Sequence, residues 1–187
     1  MRTLLTNRRS DRLSEWANRW FSNLGSRASV ELNMLERDRL TVSSYLEELA
    51  SVQQWFRALI SRLAEKNPWI DDQFDQLNLA LAEGFTNAVR HAHADLPSDT
   101  PIEIELVLQP ERIEICIFDQ GAPFDPDSLR EPKPGALREG GYGWFLLRRL
   151  ADQVTYNRTA ITSSVTADSD PNNQRNCLRI VKTSRMV

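Results

Sequence analysis

Cysteine and histidine are scarce in this chain, at two residues each, and no apolar run approaches the length needed to cross a membrane. The only histidines, His91 and His93, are not spaced with the cysteines as a zinc site requires. Cys116 and Cys177 sit in apolar, strand-like stretches, which reads as two buried reduced thiols rather than a disulfide framework. No signal-peptide core opens the chain, so a cytoplasmic protein with no membrane role is expected. A formal net charge of −3 gives no general signal for nucleic acid, and no direct nucleic-acid partner is expected. What remains, 187 residues with 41% hydrophobic and 26% charged, suits one soluble domain with a small extension.

Charge separates the extension from the domain. Residues 1–30 hold six arginines (Arg2, Arg8, Arg9, Arg12, Arg19, Arg27) against Asp11 and Glu15. Within them "SDRLSEWANRWFSNLG" reads as an amphipathic helix capped by Ser10, with Leu13, Trp16, Trp20 and Leu24 on one face. Packing against its own domain or a second copy outweighs a membrane-surface role, because the apolar face is short. The boundary is placed at 36, with residues 37–187 as the main domain.

Beyond it, "RLTVSS" is β-like, and Ser44 with Glu47 forms a capping-box pattern for a helix. Tyr45, Leu49, Val52, Phe56, Leu59 and Leu63 mark its apolar face, and Pro68 closes it. Asp71 or Asp72 is the expected cap of a second helix whose seam is Phe74, Leu77, Leu81, Phe85 and Ala88. Strict alternation over Ile102–Leu108 and Ile113–Ile117, broken at Pro110-Glu111, predicts an antiparallel hairpin. A Pro/Gly-rich segment, a compact helix "WFLLRRLAD", and strands "QVTYNR" and "NCLRIVK" around a polar loop complete the order. Strands in runs with helices apart predict an α+β two-layer sandwich, its mostly antiparallel mixed sheet covered on one face by helices.

Three clusters carry possible chemistry. Glu83, Asn87 and His91 recur at four-residue spacing along one edge of the second helix. Such an edge is often a solvated face, yet apolar residues flank it on more than one side, so a cleft is equally plausible. A carboxylate and an amide oxygen one turn apart suit a hard cation such as Mg²⁺, or a held water. "FDQGAP" ends a strand in Asp119 and turns at Gly121, which is either an ordinary turn or a site. "EGGYGWFLLRRL" opens a helix with Gly140, Gly141 and Gly143, a pattern that cradles phosphate or merely hinges a loop.

In this order the clusters resemble the nucleotide site of the GHKL superfamily, with its Bergerat-type fold. "EGFTNAVRHA" is similar to its N box, "DQGAP" to its first glycine box and "GGYG" to its second. "FDQGAPFDPDSL", "EGGYGWFLLRRLADQVTY" and "NCLRIVK" together resemble the anti-sigma-factor serine-protein kinases of bacterial partner-switching systems, over about residues 39–183.

The resemblance implies roles. Asp119 would accept a hydrogen bond from the adenine amino group of ATP, with Gly121 allowing close backbone approach. Asn87 would hold the Mg²⁺, and Glu83 would be the general base. Gly141 and Gly143 would cradle the phosphates under a lid at residues 126–140, where Arg130, Lys133 and Arg138 are available. A structural hydrogen bond is the better reading of His91. The implied partners are a sigma factor and an anti-anti-sigma antagonist phosphorylated on serine or threonine, with a homodimer as the assembly. A nucleotide-dependent switch without kinase activity is the alternative. The catalytic half of a histidine kinase ranks last, since the acceptor histidine would have to come from another chain.

Overall fold

The computed structural model describes residues 36–129, 142–160 and 174–184. Its elements are β1 (Glu36–Ser43), α1 (Leu49–Ala64), α2 (Phe74–Asn87), β2 (Pro101–Gln109), β3 (Arg112–Asp119), α3 (Gly143–Leu150), β4 (Gln153–Ala160) and β5 (Gln174–Thr183). The five strands form one sheet in the order β1-β2-β3-β5-β4. Every pairing among these strands is antiparallel, so the mixed component expected of the sheet is not found there. The architecture is the expected α+β sandwich.

The two-residue alternation of the strands sorts their side chains onto two faces. Ile102, Ile104, Leu106 and Leu108 of β2 are fully buried, with Ile113 and Ile115 of β3 and Ile180 of β5. They meet Val52, Phe56, Leu59, Ile60 and Leu63 of α1 and Leu77, Leu81 and Phe85 of α2. Phe74 stacks on Phe56 with ring centroids 5.9 Å apart, joining the two helices at the start of α2. The other face of the sheet is a charged ladder. Glu105 meets Arg37 at 2.7 Å and Arg39 at 2.5 Å, while Arg175 meets Glu103 at 2.6 Å. Cross-strand pairs of this kind make that face polar without leaving Glu105 unpaired. Cys116 is buried on β3 and Cys177 half-buried on β5, and both are free thiols.

Helix starts depart from the expected caps. The chain stays extended at Tyr45 (φ −117°, ψ 140°), enters a 3₁₀ turn at Leu46–Glu48, and makes no side-chain cap there. Ser44 is drawn inward instead, its N–H donating to the Ser98 carbonyl at 2.9 Å, so the Ser44/Glu47 capping box does not form. Asp71 and Asp72 lie within a second 3₁₀ turn, Pro68–Gln73, and Gln73 precedes α2 without a side-chain cap. Tyr45, expected on the apolar face of α1, is 46% exposed because it precedes the helix.

Gly84 fixes how closely α2 lies on the sheet. A Cβ there would fall 2.6 Å from Ile117 Cδ1 and 2.8 Å from Leu178 Cδ2. Both obstacles are side-chain ends on the sheet floor, so Gly84→Ala should fold but lose about 1–3 kcal/mol through overpacking. Urea denaturation checks this, and an unchanged midpoint would show that the floor yields freely.

Candidate functional site

Past Asn87 the helix widens. Ala88–Ala92 form a π turn, and the His93 N–H donates to the Ala88 carbonyl at 2.9 Å. Such turns insert a residue into the helical repeat and re-aim the side chains beyond it. Glu83, Asn87 and His91 still line the same cavity, while the turn carries His93 inward. His91 is exposed at the wall of the cavity, whereas His93 is buried at 3% exposure. The structural hydrogen bond expected of His91 is made by His93: its Nε2 accepts from the Gln120 N–H at 2.9 Å.

That acceptor role puts the imidazole proton on Nδ1, which is buried with no partner among the described residues. Burial lowers the His93 pKa from its ordinary 6.5, although the nearby Asp119 carboxylate opposes the shift. Below about pH 6.5 the unfolded chain takes up a proton that the folded chain resists. The stability this site contributes is complete above that pH and is lost progressively as pH falls toward the lower folded-state value. Unfolding free energy should therefore fall more between about pH 7.5 and about pH 5.5 in the wild type than in His93→Gln. Parallel pH profiles in denaturant melts would contradict this.

The π turn also brings backbone against the end of β3. A Cβ on Gly121 would collide with the Ala92 carbonyl oxygen and lie 2.8 Å from Ala92 Cα. Both obstacles are main chain, so glycine is needed here for close approach. Beside it Asp119 is 2% exposed, yet both its oxygens are partnered. Its Oδ1 accepts from the Gly121 N–H at 2.9 Å and from Asn176 Nδ2 at 2.7 Å. Its Oδ2 accepts from the Tyr156 hydroxyl at 2.9 Å. Burial first, then Asp119, pushes the Tyr156 hydroxyl well above its ordinary range, so it stays a donor.

Glu83 and Asn87 reach the same cavity from α2, where both are half-buried. At the start of α3, a Cβ on Gly143 would overlap Glu83 Oε1 and lie 3.1 Å from Asn87 Nδ2. The missing side chain is what lets the helix end approach both groups. Gly140, Gly141, Arg130, Lys133 and Arg138 lie outside the described residues, as does the amphipathic segment of Trp16 and Trp20.

The cavity that joins these groups has a volume of about 910 Å³, within the range of small-molecule sites. Its wall includes Asp119, Gly121, Phe124 and Tyr156, linked by hydrogen bonds and ring contact, and Glu83, Asn87 and Gly143, which approach one another. Among the described residues no group of three or more His, Cys, Asp or Glu could hold a metal alone. A Mg²⁺ here would need phosphate oxygens beside the Asn87 amide oxygen, which is how this ion is commonly held. The residues present fit such a pair: a buried acceptor in Asp119, and a carboxylate and an amide closely approached by Gly143 on the same cavity.

Two contributors were not visible as site residues in the sequence, Tyr156 and Asn176. The one signal was an amide at the head of the strand-like stretch "NCLRIVK".

A family model for the histidine kinase-like ATPase domain matches residues 44–181. The serine-protein kinase RsbW of Oceanobacillus iheyensis is 34% identical over 109 residues, covering 54% of this chain and 68% of that protein. RsbW of Halalkalibacterium halodurans is 34% identical over 106 residues, covering 52% and 64% respectively. RsbW of Staphylococcus aureus is 33% identical over 104 residues, covering 51% and 65%. The chain thus spans about two thirds of the length of these relatives. No helix among the described residues is long and apolar enough to cross a membrane. A domain match over most of the chain, an antiparallel sheet backed by helices on one face, and a cavity entered by the N-box side chains agree: the chain belongs to the histidine kinase-like ATPase family, alongside the RsbW serine-protein kinases.

Proposed function

We propose that the chain binds ATP with Mg²⁺ and phosphorylates a serine or threonine of an anti-anti-sigma antagonist, thereby controlling the availability of a sigma factor. The observation that carries this reading is the meeting of Glu83 and Asn87, from α2, with Asp119, remote in sequence at the end of β3, around one cavity. Bound Mg·ATP supplies the phosphoryl group and the cation that neutralises its charge. The chain's own residues do the positioning. Asp119 offers an acceptor to the adenine amino group, with Gly121 keeping the wall thin. Asn87 contributes its amide oxygen to the metal, and Glu83 takes the proton of the attacking hydroxyl. The extension assigned to residues 1–36 serves assembly, its last residue Glu36 already pairing with Leu108 in the sheet, and the protein works in the cytoplasm as a homodimer.

The direct test is transfer of labelled γ-phosphate to the antagonist-type proteins of the same genome, with the modified residue mapped by mass spectrometry. Asn87→Ala should weaken Mg·ATP at least tenfold by calorimetry, because an ion that demands near-octahedral geometry loses a ligand. Its effect on ATP measured with excess chelator should be small. Equal Mg·ATP affinity in both proteins would remove Asn87 from the metal.

A further inference from the structure

The three donors around Asp119 do more than satisfy a buried carboxylate. A carboxylate has about four lone-pair positions, two on each oxygen. On Oδ1 both are taken, by the Gly121 N–H and by Asn176 Nδ2. On Oδ2 one is taken by the Tyr156 hydroxyl. Among the described residues no donor takes the remaining acceptor position, which lies on a residue that lines the cavity.

The positions of the donors follow from the sheet. Asn176 lies opposite Asp119 in the β3–β5 register and is itself 2% exposed. Its second amide hydrogen goes to the Gly121 carbonyl at 3.0 Å, which ties the glycine turn to β5. Tyr156 comes from β4, one strand further, and its ring meets Phe124 edge-on at 6.0 Å on the same cavity wall.

We infer that Tyr156 and Asn176 are positioning residues that leave Asp119 a single open acceptor, so that the site selects a purine with a 6-amino group over one with a 6-oxo group. This deepens the proposed function and rests on its nucleotide site. A 6-amino group donates to the open position. A 6-oxo oxygen would bring a second acceptor against it, and a buried acceptor facing an acceptor is left unsatisfied. Asn176 fixes the carboxylate plane and the turn together. Tyr156 fixes the remaining oxygen while presenting an apolar edge to the base.

The test compares ATP with inosine triphosphate, which differs at this group, on the full chain by calorimetry. Wild type should prefer ATP. Tyr156→Phe retains the ring against Phe124 and removes only the hydroxyl. It should weaken ATP by about tenfold while leaving inosine triphosphate within about twofold, so discrimination narrows, with a modest fall in melting temperature from the lost hydrogen bond to Asp119. Asn176→Ala should narrow it as well, with a lower melting temperature because the turn is released. Parallel losses for both nucleotides, or no change in either, would show that the two residues do not set selectivity and overturn the inference. If the wild type binds ATP but does not discriminate, the inference fails and the nucleotide site stands. If it binds neither nucleotide, both fail.

Discussion

Glu83→Gln should bind Mg·ATP almost as well as the wild type and lose phosphoryl transfer to the antagonist by about 10²–10⁴-fold. Glutamine keeps the shape that fits against Gly143, where a Cβ would overlap the carboxylate oxygen, so packing between α2 and α3 is preserved. What disappears is the capacity to take a proton. The nucleotide ground state has no attacking hydroxyl, so binding has nothing to lose at this position. Lost turnover with retained affinity marks an interaction made only in the transition state. Single-turnover transfer and calorimetry on the same preparation measure both quantities. Equal transfer by both proteins would remove Glu83 from catalysis. Absence of transfer in the wild type, with partner exchange intact in both proteins, would leave a nucleotide-dependent switch.

The elements that were legible in the sequence are those whose signal is local. Leu77, Leu81, Phe85 and Ala88 share a face because the helical repeat dictates it, and all four are buried. The β2–β3 hairpin closes at Pro110-Glu111 because Gln109 pairs with Arg112 across two residues. Failures arose where tertiary contacts overrule local preference. Ser44 and Glu47 match a capping box, but Ser44 is held by the Ser98 carbonyl and the helix begins later. Nothing in "NAVRHAH" announces a π turn, since all of its residues tolerate an ordinary helix. The insertion shows itself only when His93, rather than His91, seats under Gln120.

The candidate site divides in the same way. Glu83 and Asn87 lie on one helix at a readable spacing, and Asp119 with Gly121 forms one short motif. The residues that complete the carboxylate's environment are 37 and 57 positions away along the chain, on β4 and β5. Strand register brings them there, and register is set by the buried face of the sheet rather than by any local motif. In the sequence Tyr156 is simply part of the strand "QVTYNR", and Asn176 the first residue of "NCLRIVK".

The same environment makes Asp119→Asn a sharper experiment than removal of the side chain. In an asparagine, Oδ1 can still accept from the Gly121 N–H and from Asn176, as it does in the wild type. Its Nδ2 would face the Tyr156 hydroxyl, which can turn and accept instead of donating. The turn and the sheet therefore survive, and the melting temperature should change little. The open position, however, becomes a donor. An adenine amino group would then meet an amide hydrogen, leaving two buried donors unpaired at about 1–3 kcal/mol each. ATP and ADP should both lose about 10²-fold in affinity, irrespective of Mg²⁺, because the defect lies at the base and not at the phosphates. Inosine triphosphate offers an oxo acceptor at that point and should bind the variant at least as well as it binds the wild type. Preference between the two nucleotides is thus expected to shrink or invert. Loss of ATP with no relative gain for the 6-oxo nucleotide would mean that Asp119 shapes the pocket without reading the base. Unchanged ATP affinity would place the base elsewhere in the cavity.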